Sequence, residues 1–434
     1  MYPVRTCLPQ ADNCPLSRRQ SARHRRYKQP SSNLPHIRTD RPRPACACPR
    51  RIENPRPIRH GSESHVIVFP AHQPICIRLC ARPPVRVLPA MPKIAVFSAQ
   101  PYDRRFLSEA NERHFAGYGF ELHYHVFPLT EETAALAGGC EAVCAFVNDK
   151  ISAKVLEALH AGGTRAVLLR CAGFNNVDLG RADELGLFVA RVAAYSPEAV
   201  AEYAVALMQT LNRKTHRAYM RVREGNFSLD GMLGFTMHGK TVGLVGTGKI
   251  GLATARILKG YGCRLVGYDP FEVAEFKDGL GGEYVGLEEL LERADIVSLH
   301  CPLMGSTHHI INADTLARMK DGAMLVNSSR GALIDTKAAI QALKSRKLGA
   351  LAIDVYEWES SLFYADRSLD IIDDDVFQRL MTFPNTLVSG HQGFFTVEAL
   401  TEIAETTMRN MKCFVDGEEC AGRLHARTKL VVGS

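Results

Sequence analysis

Apolar residues from position 91 onward fall in short runs, with stretches of helical spacing between them. Ile94–Phe97, Ala142–Val147, Ala166–Leu169 and Leu187–Val192 are four such runs, and Glu121–His125 is a weaker fifth. Runs this short with helices such as Ala153–Leu159 between them predict a parallel sheet covered on both faces. Ser196 and Pro197 then open a long helix, the hydroxyl capping free amides and the ring pre-set for the first turn. Its apolar stretch continues to Leu211. A second series follows: Thr241–Val245, Arg264–Tyr268, Ile296–Leu299, Met324–Asn327, Ala350–Val355 and Thr386–Ser389. The last helix runs near Val397–Val415, with Leu400, Ala404, Met408 and Met411 on one face. The pattern predicts an α/β chain of two doubly wound parallel-sheet domains. The last helix is expected to cross back to the first domain, and ligands to sit in the cleft beyond the carboxyl ends of the strands.

Composition divides the 434 residues differently. Residues 1–90 hold 17 of the 53 Lys and Arg but 4 of the 46 Asp and Glu, with 15 of the 22 prolines. Residues 91–434 therefore carry an excess of acids, and the formal charge of +7 belongs to the leader. A nucleic-acid function read from that charge would be misplaced, and the folded body is expected to bind none. Stretches such as Arg41-Pro42-Arg43-Pro44 hold neither helix nor central strand, so 1–90 is expected to be a disordered basic leader. The favoured reading is that translation begins at Met91. A basic tail for polyanions and an organelle transit peptide are the alternatives. Cys46, Cys48, His72, Cys76 and Cys80 match no common zinc spacing, and no metal site is expected. No apolar run reaches 18 residues, so no membrane span is expected. Cysteines without paired spacing in 91–434 suit a reducing, cytoplasmic setting.

Gly246-Thr247-Gly248-Lys249-Ile250-Gly251 joins the apolar run Thr241–Val245 to a helical pattern containing Ala253, Ile257 and Leu258. Arg264–Tyr268 follows and ends in Asp269. A lone GxGxxG is weak evidence, but this strand, turn, helix, strand and acid form a complete dinucleotide-binding unit. Gly246, Gly248 and Gly251 let the turn close and a pyrophosphate approach the amides at the helix start. Asp269 can accept from both adenosine ribose hydroxyls and would repel an added phosphate, which favours NAD over NADP.

Three groups lie just past strand ends in the second half: Arg330, Glu359 and His391. A parallel sheet opens all such positions onto one edge, where a nicotinamide would lie. Hydride transfer to a 2-oxo acid needs a cation for the carboxylate and carbonyl, which a guanidinium supplies two-pronged. It needs a proton donor, a task suited to histidine, and a carboxylate beside the imidazole to hold it. Arg330, His391 and Glu359 fill these roles in that order.

Residues 91–434 resemble the D-2-hydroxyacid dehydrogenases, and within them the fermentative NAD-dependent D-lactate branch of bacteria. The stretches that carry the likeness are Leu169–Asp178, Tyr195–Glu202, Asn327–Asp335 and Gly390-His391-Gln392, with Phe227-Ser228-Leu229 and Gly234-Phe235-Thr236 pointing to the lactate branch. The resemblance implies a flavodoxin-like substrate domain of residues 91–194 with 390–434, and a Rossmann NAD domain of 195–389. It implies His391 as proton donor, Glu359 as its partner and Arg330 as the activating cation. It implies that Ala172, Gly173 and Tyr195 help hold the substrate carboxylate. Lys249, Ile250, Asp269, Cys301, Pro302, Thr307, Ser328, Ser329 and Asp354 are the implied cofactor contacts. Asp354 would sit near the nicotinamide carboxamide. The chain departs from the family pattern at Ser360, where many members carry proline. It also departs in Pro302–Thr307, which lacks a threonine after Leu303. The acidic run Asp373-Asp374-Asp375 reads as a solvated loop.

The expected activity is reversible reduction of pyruvate to D-lactate with NADH. Phe394 and Phe395 are expected to wall a small pocket for the methyl group. A reductase for bulkier 2-oxo acids and an NAD-sensing, corepressor-like binding protein remain as alternatives. The resemblance implies a homo-dimer or homo-tetramer, with the Ser196–Leu211 helix as a candidate contact between subunits.

Overall fold

The computed structural model describes residues 91–428. The leader, with its alternative start, tail, transit and metal readings, lies outside the described residues.

Five parallel strands make up most of the first sheet: β1 (Lys93–Val96), β2 (Glu121–Tyr124), β3 (Ala142–Ala145), β4 (Ala166–Leu169) and β5 (Phe188–Arg191). They pair in parallel in the order β2-β1-β3-β4-β5, the flavodoxin-like pattern. The second sheet holds β6 (Thr241–Val245), β7 (Arg264–Tyr268), β8 (Glu283–Tyr284) and β9 (Ile296–Leu299). It continues with β10 (Ala323–Asn327), β11 (Leu348–Ile353) and β12 (Thr386–Val388). Its order is β12-β11-β10-β9-β6-β7-β8, parallel throughout. The chain builds outward from β6 to β8, then returns to β6's other side at β9. That reversal between β6 and β9 opens a crevice at the strand ends. A last short strand, β13 (Arg423–Leu424), adds antiparallel to β5.

Side-chain alternation builds a core on each face of both sheets. Along β1 and the residue after it, Ile94 and Val96 face one cluster while Ala95 and Phe97 face the other. The helix Val397–Asp416 returns to the first sheet and buries Leu400, Ile403, Met408 and Met411 beside Phe106 and Leu107. The helix Pro197–Arg213 does the opposite. Its Val205, Met208 and Leu211 pack with Val242, Leu244 and Leu258 of the second sheet's layer. The apolar face of this helix is thus used inside the subunit. Exposed apolar side chains stand further along the chain, Met220, Phe227, Leu229 and Leu233 among them.

Two details differ from the pattern read along the chain. The two-residue strands β8 and β13 are too short to show an alternation. The acidic run is not wholly a loop: Asp374 caps the helix Asp375–Met381 through Phe377 N–H and accepts from the Tyr356 hydroxyl at 2.9 Å. Among the described residues, no helix is long and apolar enough to cross a membrane.

Candidate active site

A cavity of about 330 Å³ opens at the carboxyl ends of the second sheet's strands and is closed by loops following β4 and β5. The glycine turn forms one wall. Gly246 has φ +98, and a Cβ there would lie 2.6 Å from the Cys301 amide nitrogen, so only glycine fits. A Cβ on Gly251 would strike the Gly246 carbonyl, so Gly251 lies beneath the turn rather than in the cavity. Gly248 has nothing within 4 Å of such a position and faces open space. Lys249 and Ile250 begin the helix Lys249–Gly260 there, with its free amides.

Asp269 follows β7 and lines the same wall. The Thr247 N–H donates to its Oδ2 at 2.7 Å and the Phe271 N–H to its Oδ1 at 2.9 Å. The Thr247 hydroxyl also meets the Tyr284 hydroxyl, at 2.7 Å. The Thr247 hydroxyl reaches Oδ2 as well, at 3.4 Å, so the acid is oriented by its surroundings and Oδ1 keeps a lone pair open. Ser328 Oγ, also at the cavity, is buried without a hydrogen-bond partner among the described residues. An open glycine, an oriented acid and an orphaned hydroxyl along one wall fit a dinucleotide.

Cys301, Pro302 and Ser329 complete that side, with the Ser329 hydroxyl donating to the Cys301 carbonyl at 2.7 Å. Thr307 is placed differently. Its hydroxyl donates to the Pro302 carbonyl at 2.6 Å and accepts from the Met304 N–H at 2.8 Å, folding the turn instead of facing the cavity. His300 lines the cavity and escaped the reading of the chain, although its place just after β9 was a usable signal. Burial lowers its imidazole to about 4, so it is neutral near pH 7.

The three groups expected at the strand edge do converge. Arg330 follows β10. Asn327 shapes its loop, accepting from the Ser329 N–H at 3.0 Å and donating to the Arg330 carbonyl at 2.8 Å. A Cβ on Gly173, across the cavity, would lie 2.8 Å from Arg330 Nη2. His391 follows β12, and its Nδ1 lies 2.8 Å from Glu359 Oε1. Glu359 stands behind the histidine rather than in the cavity, and its Oε2 accepts from the Tyr356 N–H at 2.9 Å.

Asp354, at the end of β11, is buried and ties down the histidine loop. It accepts from Ser389 Oγ at 2.7 Å, Gln392 N–H at 2.7 Å and Gly393 N–H at 2.8 Å. Ala172, Gly173 and Tyr195 form the opposite wall with Arg191, and burial raises the Tyr195 phenol, which stays protonated. Phe394 is buried and lines the cavity. Phe395 does not; it is half exposed and stacks edge-on against Tyr102 at 4.9 Å. The arrangement can hold a small anion between a guanidinium and an imidazole beside a dinucleotide.

Comparison with known proteins gives the family. Residues 205–393 match the family model of the D-isomer-specific 2-hydroxyacid dehydrogenase NAD-binding domain. The chain is 61% identical over 312 residues to 2-hydroxyacid dehydrogenase A of Aspergillus oryzae, covering 72% of this chain and 89% of that protein. It is 56% identical over 307 residues to the D-lactate dehydrogenase of Escherichia coli, covering 71% and 93%. The apo structure of the Escherichia coli D-lactate dehydrogenase superposes with a TM-score of 0.70 at 52% identity, over 76% of this chain and 99% of that one. With two doubly wound sheets, a dinucleotide turn and these relatives, the chain belongs to the D-isomer-specific 2-hydroxyacid dehydrogenases and is an NAD-dependent oxidoreductase.

Proposed function

We propose that this enzyme reversibly reduces pyruvate to D-lactate with NADH. The observation that carries the reading is the meeting of Arg330 and the His391–Glu359 pair on one edge of a small cavity. Arg330 has no carboxylate partner among the described residues, so its guanidinium is available to a substrate carboxylate and carbonyl. Ala172, Gly173 and Tyr195 help hold that carboxylate. Glu359 engages His391 Nδ1, which leaves Nε2 to give a proton to the carbonyl oxygen. Bound NADH supplies the hydride to the carbonyl carbon. In the oxidative direction His391 takes the proton back.

Gly246, Gly248, Lys249 and Ile250 hold the pyrophosphate side of the cofactor in this reading, and Asp269 its adenosine ribose. Cys301, Pro302, Ser328 and Ser329 flank it, and Asp354 approaches the nicotinamide end while fixing the histidine loop. Residues 91–194 with 390–434 serve as the substrate domain and 195–389 as the NAD domain. Phe394 is the wall suited to a methyl group, which favours pyruvate over longer 2-oxo acids.

The chain works as a homo-dimer or homo-tetramer in the cytoplasm, with the bare apolar segment around Met220, Phe227, Leu229 and Leu233 as the contact. Sedimentation of the full chain tests that contact. NADH oxidation with pyruvate, 2-oxobutyrate, phenylpyruvate and hydroxypyruvate tests the substrate. Pyruvate should give the highest kcat/KM; a higher value with phenylpyruvate would assign the enzyme to bulkier acids.

A further inference from the structure

Arg191 ends β5 and lines the cavity, half buried. No ion pair engages its guanidinium among the described residues, and burial lowers its pKa from the usual arginine range. Its backbone is fixed on both sides. The Arg191 N–H donates to the Gly422 carbonyl at 2.9 Å, and Asn410 Nδ2 donates to the Arg191 carbonyl at 3.0 Å. The guanidinium lies 4.9 Å over the Phe174 ring, and its Nη1 donates to the Ala172 carbonyl at 2.7 Å. That carbonyl shares a peptide unit with the Gly173 N–H. Neither the Ala172 nor the Gly173 amide has a partner among the described residues.

We propose that Arg191 is a positioning residue for the substrate carboxylate and acts through the Ala172–Gly173 peptide. This rests on the reading that a 2-oxo acid docks its carboxylate on that turn. A trans peptide points its N–H opposite to its C=O, so holding the carbonyl fixes the direction of the Gly173 donor. A charged donor on the carbonyl also polarises the unit and strengthens its N–H. The half-buried cation has no anion of its own, so its field remains available to a bound one. Arg330 on the far side of Gly173 would make direct contact, while Arg191 shapes the backbone that shares the load.

The test is steady-state kinetics on the full chain carrying Arg191→Met or Arg191→Lys, using the 2-oxo acid that the wild type reduces best. Oxamate, an unreactive analogue carrying the same carboxylate, serves as inhibitor. In Arg191→Met the KM and the oxamate Ki should rise together about tenfold or more, equivalent to about 1.4 kcal/mol. kcat and NADH affinity should stay within about threefold. Arg191→Lys keeps the charge without the planar fork and should fall between. If Arg191→Met fails to fold, Arg191→Lys must still raise KM while holding kcat. Unchanged KM in the folded variants overturns the proposal, as does a parallel loss of kcat and NADH affinity, the sign of general loosening. If the wild type reduces no 2-oxo acid, the functional reading fails separately. Calorimetry of oxamate on the NADH-loaded proteins then decides the role of Arg191, with weaker binding to the variants supporting it and equal binding overturning it.

Discussion

Oε1 of Glu359 stands 2.8 Å from Nδ1 of His391, a contact that spans 32 sequence positions. It is built from both sides. The Tyr356 N–H holds the second carboxylate oxygen, and the Asp354 carbonyl accepts the His391 N–H at 2.7 Å. The histidine backbone sits at φ +56, a left-handed conformation uncommon outside glycine. Such strain persists where the surrounding bonds over-determine it, and here they aim an imidazole.

Replacing that imidazole should stop turnover without disturbing the cofactor site. Asparagine tolerates the left-handed conformation, so His391→Asn is the variant least apt to disturb the loop. Its kcat should fall about 10²–10⁴-fold. Fluorescence titration should return an NADH Kd close to that of the wild type. Loss of NADH binding would mean that the histidine belongs to the cofactor site instead.

The three glycines of the turn should fail in different ways. Gly246→Ala forces a methyl against the Cys301 backbone at positive φ, and Gly251→Ala forces one onto the Gly246 carbonyl. Each should lower unfolding stability by about 2–4 kcal/mol. Gly248→Ala meets open space and should unfold within about 1 kcal/mol of the wild type. Its NADH affinity should nonetheless drop, because the methyl occupies the place a pyrophosphate would take. Urea unfolding paired with NADH titration separates the two outcomes.

Asp354 accepts three donors with two oxygens. An amide nitrogen cannot accept, so Asp354→Asn sets an NH₂ against at least one N–H of the histidine loop. The expected loss is about 1–3 kcal/mol of stability, together with lower kcat. A variant with wild-type denaturation and turnover would show that the loop holds without this anchor.

His300 ties stability to pH. Burial lowers its pKa to about 4 in the folded chain, well below the ordinary histidine value of about 6.5. The unfolded chain therefore takes up the proton first as pH falls. The stabilisation is complete above about pH 6.5 and is lost toward about pH 4, by an amount on the order of 2–3 kcal/mol. His300→Gln removes this titration. The difference in unfolding free energy between pH 7 and pH 4.5 should be smaller in the variant, and an equal difference would remove His300 from the pH response.

Much of the fold and site was legible along the chain because the signals were local. The apolar runs became strands within a residue or two at most ends, and the glycine turn carried its own strand, helix and acid. Arg330, Glu359 and His391 were recoverable since each follows a strand, and parallel strands share an edge. What escaped depended on distant partners. Arg191 looks like an ordinary strand-end arginine until its guanidinium is seen on the Ala172 carbonyl, 19 positions away. Thr307 sat beside cavity residues in sequence, yet its hydroxyl is committed to the turn it closes. Phe394 and Phe395 are adjacent, but a turn at the start of the last helix sends one to the cavity and the other to Tyr102. Backbone geometry decides such cases, and adjacent letters do not encode it.

In this proposal the Arg330 guanidinium holds and polarises pyruvate and the His391 imidazole protonates its carbonyl oxygen, with the hydride from bound NADH taken on one face of the carbonyl carbon. Incubation of the full chain with pyruvate and NADH, followed by chiral separation of the product, tests it most directly. The expected result is stoichiometric NADH oxidation and D-lactate. Production of L-lactate, or no pyruvate-dependent oxidation of NADH, would contradict it.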